Sequence, residues 1–118
     1  MAEKSGADLI NDAKSRIREV AAADAVKNPE PETVYFDCRE PNEYALGHIP
    51  GAVFLPRGNL ETKIEGLIPR DKKVLIYCAT GNRSALAADT MQQMGYKDVA
   101  SMAGGFRDWV NAGGEVES

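Results

Sequence analysis

A chain of 118 residues has room for one domain, 1–118, and not for a second, since domains ordinarily run to about 100–150 residues. Its 14 Lys and Arg against 18 Asp and Glu leave a net charge of −4, with no basic run long enough to track a phosphate backbone, so no nucleic acid partner is expected. No apolar run suited to a signal peptide or a membrane span follows Met1-Ala2-Glu3-Lys4, so no membrane partner is expected, the expected location is cytoplasmic, and the two cysteines are expected as free thiols.

In chain order, Asp8 is the expected cap of a helical N-terminal extension, 1–16, in which Leu9, Ile10 and Ala13, with Ile17 and Val20 beyond, fall on or near one face. A helical turn over 22–27 and a proline-broken loop over 28–32 precede a strand at 33–38. Residues 41–46 suit a short helix with Pro41 in its first turn. The turn from Gly47 to Gly51 leads into a short strand at 52–55. Asn59 is expected to cap a helix over 60–65, with Leu60, Ile64 and Leu67 as its inward candidates, and Pro69 breaks it.

The stretch from Lys73 to Met94 carries the chemistry. Val74, Leu75, Ile76 and Tyr77 in succession suit a strand buried on both faces, whereas Leu86, Thr90, Met91 and Met94 recur at helical spacing. Cys78 sits where the strand ends and a tight loop begins. A helix start gathers unpaired N–H groups and a positive dipole end, which favour thiolate over thiol, and the thiolate is the nucleophile. Ala79, Thr80, Gly81, Asn82 and Arg83 are expected to turn their amides toward the sulfur, with Ser84 capping the helix. Gly95 and Tyr96 read as a helix-ending cap, 98–102 as the last strand, and Gly104-Gly105 as the start of a final helix that buries Phe106, Trp109 and Val110. Strands alternating with helices argue for parallel pairing with helices on both sheet faces.

Four blocks carry a resemblance: Asp37-Cys38-Arg39-Glu40-Pro41-Asn42-Glu43-Tyr44, Gly47-His48-Ile49-Pro50-Gly51-Ala52, the loop from Cys78 to Ser84, and Gly104-Gly105 with Trp109. Together they resemble the single-domain rhodaneses, which are sulfurtransferases. The resemblance implies an α/β, three-layer sandwich with a mostly parallel sheet of about five strands, the first near Ile17 to Val20. It also implies that Cys78 takes the outer sulfur of a small anion such as thiosulfate, or of a persulfide donor, and passes it from a Cys78 persulfide to a thiol or cyanide. No cofactor is implied. One histidine and two separated cysteines give no metal-ligand spacing, so no metal is expected.

Arg39 joins residues 79–84 as a candidate for anion binding, with a structural ion pair to Asp37 or Glu43 as the alternative role. Asp37, Glu43 and His48 are further candidates, His48 set against a structural role in its turn. The long two-domain sulfurtransferases carry basic residues where this chain has Glu43 and within Ala79-Thr80, which weakens thiosulfate as the donor. Cys38 reads either as a small core hydrophobe or as a resolving thiol. Because Asp37 is expected to face the site, Cys38 is expected to turn away from it and form no disulfide. Two other functions compete. One is a persulfide carrier or binding module serving a protein partner. The other is a cysteine-dependent phosphatase or arsenate reductase, although four residues between Cys78 and Arg83 make a ring one residue shorter than the phosphatase loop.

Overall fold

The computed structural model describes residues 3–118. Its elements are α1 (Gly6–Arg16), β1 (Arg18–Ala21), α2 (Ala22–Lys27), β2 (Thr33–Asp37), α3 (Pro41–Leu46) and β3 (Val53–Phe54). A 3-10 turn (Arg57–Asn59) then leads to α4 (Leu60–Leu67), β4 (Lys73–Tyr77), α5 (Asn82–Gln93), β5 (Val99–Ala103) and α6 (Gly105–Asn111). The five strands form one sheet in the order β1-β5-β4-β2-β3, and every pair is parallel. β4 takes the middle because Val74, Leu75, Ile76 and Tyr77 are all buried, two on each face.

On one face Phe36, Val74, Ile76 and Val99 pack with Leu60 and Ile64 of α4 and Ala87, Ala88 and Met91 of α5. On the other, Leu75, Tyr77, Ala100 and Met102 pack with Ala22 and Ala25 of α2 and Trp109 of α6. The chain leaves β2 toward β3 on one side and β4 toward β5 on the other, so the order reverses between β2 and β4. In a parallel sheet such a switch point opens a crevice beyond the strands' carboxyl ends. Cys78 follows directly on β4 at this point. No helix among the described residues is long and apolar enough to cross a membrane.

Several local expectations need correction. Ser5, not Asp8, caps α1: the Ser5 Oγ accepts from the Asp8 N–H at 3.1 Å, while the Asp8 carboxylate accepts from the Ser5 N–H at 3.0 Å. This reciprocal box makes Asp8 the third helical residue. Residues 1 and 2 of the expected extension lie outside the described residues. Leu67 and Val110 are exposed, because α4 and α6 are short helices that bury only two positions each, Leu60 and Ile64 in one and Gly105 and Trp109 in the other. Asn59 precedes α4, but its side chain makes no capping bond. By contrast, Gly95 has φ 99° and its N–H reaches the Gln92 carbonyl, while the Tyr96 N–H reaches that of Met91, which closes α5 as a Schellman motif.

Candidate active site around Cys78

The loop after β4 is shaped by α6. The Phe106 N–H donates to the Cys78 carbonyl at 2.8 Å, and the Arg107 N–H to the Ala79 carbonyl at 3.1 Å. Two N–H groups that the first turn of α6 leaves without helical partners are thus taken up by the loop. The close approach requires glycine. A Cβ on Gly105, at φ +59°, would lie 2.6 Å from the Ala79 and Cys78 carbonyl oxygens, and Gly81 at φ +107° packs beside the backbone of Gly104 and Met102. Gly105→Ala is therefore expected to displace the loop, with about 1–3 kcal/mol lost in urea unfolding and slower alkylation of Cys78.

Cys78 lies deeper than a loop mouth, at 1 % exposure and in contact with the α5-side core. Gly81 N–H donates to its Sγ at 3.1 Å and Ser84 N–H at 3.4 Å, and the Ser84 Oγ lies 3.5 Å away. No hydrogen bond links Sγ to the amides of Ala79, Thr80, Asn82 or Arg83. Nor does Ser84 cap α5, since Gly81 holds the cap position and Ser84 is the third helical residue, buried and turned toward the sulfur. The Cys78 pKa is held down to about 4, first by the neighbouring Cys38 thiol, against desolvation, and then by the Ser84 hydroxyl and the Ser84 and Gly81 N–H groups.

Cys38 corrects the expected facing of β2. Phe36 pairs with Ile76 and Asp37 with Tyr77, so Cys38 and Cys78 follow as the next cross-strand neighbours, and the Cys38 N–H donates to the Tyr77 carbonyl at 3.1 Å. Both cysteines face the α5 side. Asp37 turns the other way, toward α6, and is fully buried against Arg39. The Cys38 thiol itself is held well above its usual pKa, first by the Cys78 sulfur beside it and then by burial.

The charged candidates divide into two pairs. Arg39 is 5 % exposed, donates to both Asp37 oxygens and to the Gly47 carbonyl at 2.7 Å, and lies over the Phe106 ring at 4.4 Å. Those partners give it the structural role in place of the anion-binding one. Arg83 donates to both oxygens of Glu43, at 2.8 and 3.0 Å, and Glu43 also accepts from the Glu40 N–H at the start of α3. Glu43 is held down to about 2, first by Arg83, against desolvation, and then by the Glu40 N–H. This pair ties α3 to the loop. His48 stacks on Tyr44 at 3.8 Å, its Nδ1 lies 3.0 Å from the Tyr44 carbonyl, and its backbone pairs with Glu117 of the chain end, so its contacts are those of a turn residue.

Sequence reasoning missed Ser101. It is fully buried on β5 with its Oγ 2.8 Å from that of Ser84, which extends the hydrogen-bonded chain behind the sulfur. Within Val99-Ala100-Ser101-Met102 it reads only as one polar position in a strand. Ser101→Ala is expected to move the midpoint of Cys78 alkylation upward in pH by about 0.7 unit, the equivalent of about 1 kcal/mol of hydrogen bonding, with Ser101→Thr restoring it. An unmoved midpoint would show the hydroxyl chain to be inert. A separate cleft lies at the opposite ends of the strands, among Arg18, Glu30, Thr33 and Lys73, but Lys73 is paired with Glu30 and Arg18 with Asp98, and no cysteine lines it.

With a buried thiolate at a helix start and at the switch point of a parallel sheet, the fold and site are those of a cysteine-loop α/β domain. The chain belongs to the rhodanese-like family, whose model, described as a rhodanese-like domain, matches residues 21–112. It is 32% identical over 98 residues to a thiosulfate:glutathione sulfurtransferase of Saccharomyces cerevisiae, across 73% of this chain and 70% of that one. It is 42% identical over 73 residues to a Bacillus subtilis protein whose name proposes a sulfur carrier, across 62% of this chain but only 39% of that longer protein. A solved structure from Rhodopseudomonas palustris, described as a protein of unknown function and possible tyrosine phosphatase, matches with a TM-score of 0.87 at 39% identity, over 99% of this chain and 97% of that one.

Proposed function

We propose that this protein is a cytoplasmic sulfurtransferase that moves a sulfane sulfur from an anionic donor such as thiosulfate to a thiol or cyanide through a persulfide on Cys78. The observation that carries this reading is a cysteine at about pKa 4 whose Sγ accepts N–H groups from the loop that opens α5. The thiolate attacks the outer sulfur of thiosulfate, the S–S bond of the donor breaks, and sulfite leaves with the electron pair. Residues 79–84 then surround the terminal sulfur, whose negative charge is stabilised by the loop amides and by the dipole of α5. An acceptor thiolate or cyanide attacks that sulfur, and Cys78 departs as the stabilised thiolate. The low pKa serves both halves, since it supplies the nucleophile and makes a good leaving group.

The name of the yeast relative makes a glutathione-type thiol the acceptor to try first. A sulfur carrier that serves only a protein partner is the second reading, supported by the Bacillus relative's name, and failure to turn over with any small acceptor would favour it. Against the phosphatase reading stand the four residues between Cys78 and Arg83 and the commitment of Arg83 to Glu43, which leaves its guanidinium engaged outside the loop. Intact mass after thiosulfate treatment and desalting tests the proposal. A gain of about 32 mass units that a thiol reductant removes is expected. No gain, together with hydrolysis of aryl phosphates, would overturn it.

A further inference from the structure

The reversed facing of β2 leaves Cys38 beside Cys78 on the same face of the sheet and without a part in the transfer just described. Its place is fixed by three independent features. It is the residue after the Asp37 and Tyr77 pair, its N–H is bonded to the Tyr77 carbonyl at 3.1 Å, and it is wholly buried in the same core cluster as Cys78. Adjacent strands lie about 4.8 Å apart, within the Cα separation of about 4.4–6.8 Å that a disulfide spans. Both thiols are free in this structure. Cys38 is as deeply buried as Cys78, and its neighbour across the strands is Cys78.

From this juxtaposition we infer a further activity: Cys38 discharges the Cys78 persulfide internally, releasing hydrosulfide and leaving a Cys38–Cys78 disulfide. The inference rests on the persulfide reading above. The Cys38 sulfur attacks Sγ of Cys78, a Cys38–Cys78 S–S bond forms, and the bond from Sγ to the terminal sulfur breaks. That sulfur leaves with the electron pair and takes the Cys38 proton, so one persulfide anion and one thiol give one disulfide and one HS⁻. The sulfane sulfur is reduced and the two cysteines are oxidised. An external thiol, the same class as the acceptor, resets the pair.

The site suits such a displacement. Cys38 reaches Sγ from β2, whereas the Gly81 and Ser84 amides that would hold the outer sulfur come from the loop and the start of α5. An attacking sulfur and a leaving sulfur need opposite sides of the central atom. In the resting protein the two groups do not react, because joining two reduced sulfurs needs an oxidant, and the sulfane sulfur of the charged Cys78 is what supplies it. Once Cys78 is charged, the negative charge sits one atom further out, and the Cys38 proton can follow the departing sulfur. The protein then has two outlets for its sulfur: transfer when an acceptor is present, and release as hydrosulfide when none is.

The test uses the full chain under anaerobic conditions, loaded in parallel with thiosulfate and with inorganic polysulfide, desalted, and held without thiol. The form heavier by about 32 mass units should decay to one lighter than the reduced protein by about 2, with about one hydrosulfide released per chain and a linked Cys38–Cys78 peptide on non-reducing mapping. Cys38→Val and Cys38→Ser, each checked for folding by circular dichroism, should keep the heavier form and release no hydrosulfide. A heavier form in the unaltered protein that persists as long as in the variants overturns the internal discharge and leaves sulfur transfer standing. Failure of both donors to load Cys78 overturns both readings.

Discussion

Cys78→Ala is expected to lose all sulfur transfer while keeping the fold, and its stability should differ from that of the unaltered protein in a pH-dependent way. The loss of activity follows because no other side chain at the loop is a nucleophile that can carry sulfur, Cys38 being protonated and enclosed. The pH dependence follows from linkage. Cys78 has a folded-state pKa of about 4 against an ordinary 9.0, so the folded protein binds the proton less readily than the unfolded chain. A depressed acid stabilises the fold fully above its unfolded pKa. That contribution falls as pH drops through the window from about 9 to about 4, and below it is gone.

The stability gap between the unaltered protein and Cys78→Ala should therefore be widest near pH 9 and close progressively toward pH 4, as urea midpoints would show. A gap that stays constant across this range would mean that the thiolate is not held as described. Residual thiosulfate:cyanide transfer in Cys78→Ala would remove the cysteine from the mechanism altogether. Alkylation supplies an independent readout, with a rate that should stay flat from about pH 6 to 8, where an ordinary thiol would rise steeply.

Much of the fold is legible because its signals are local. Pro41 at the first helical position marks α3 to the residue, and Gly95 with Tyr96 marks the end of α5. The unbroken apolar run from Val74 to Tyr77 identifies the central strand for the same reason that it must be central, since only a strand covered on both faces can bury all four. That property also hides information. β2 runs into Phe36-Asp37-Cys38-Arg39, where every residue is buried, so there is no alternation from which to read a face. The choice between Asp37 and Cys38 as the site-facing residue depends on where Arg39 goes, and that is settled by Gly47, beyond α3, and by Phe106, far along the chain.

The site divides in the same way. Cys78 and its loop follow from strand, glycine and helix start in one continuous stretch. Ser84 was visible only as a residue near a helix start, and its turn toward the sulfur depends on Gly81 taking the cap position in a left-handed conformation. Ser101 had no signal of its own, because its meaning comes from β5 lying beside β4. Arg83 and Glu43 are forty positions apart and meet only because α3 and α5 both begin at the carboxyl end of the sheet. A cysteine following each of two adjacent strands is the sequence feature behind the resolving-thiol reading of Cys38, and only its facing was hidden.

Asp37→Ala should be the most destabilising single change of those considered, costing about 3–5 kcal/mol. Asp37 is fully buried, and its carboxylate accepts from Arg39 Nε at 3.0 and 3.2 Å, from Arg39 Nη2 at 2.7 Å and from the Arg39 N–H at 3.0 Å. Its removal strands a guanidinium held between Phe106 and Tyr77, with only the Gly47 carbonyl left as a partner. The cost is that of an uncompensated buried charge, so removing the charge as well should recover much of it. Asp37→Ala combined with Arg39→Met is accordingly expected to be markedly more stable than Asp37→Ala alone, a non-additivity that a double-mutant cycle in urea measures directly. Because Asp37 faces α6 and Cys78 faces α5, the double variant should keep the low-pH alkylation midpoint of Cys78. If the two changes simply add, Arg39 finds other partners and the pair is not what holds the two strand ends beneath α6. If instead the midpoint rises in the double variant, Asp37 contributes to the sulfur site across the sheet, and the division of the two faces drawn here is wrong.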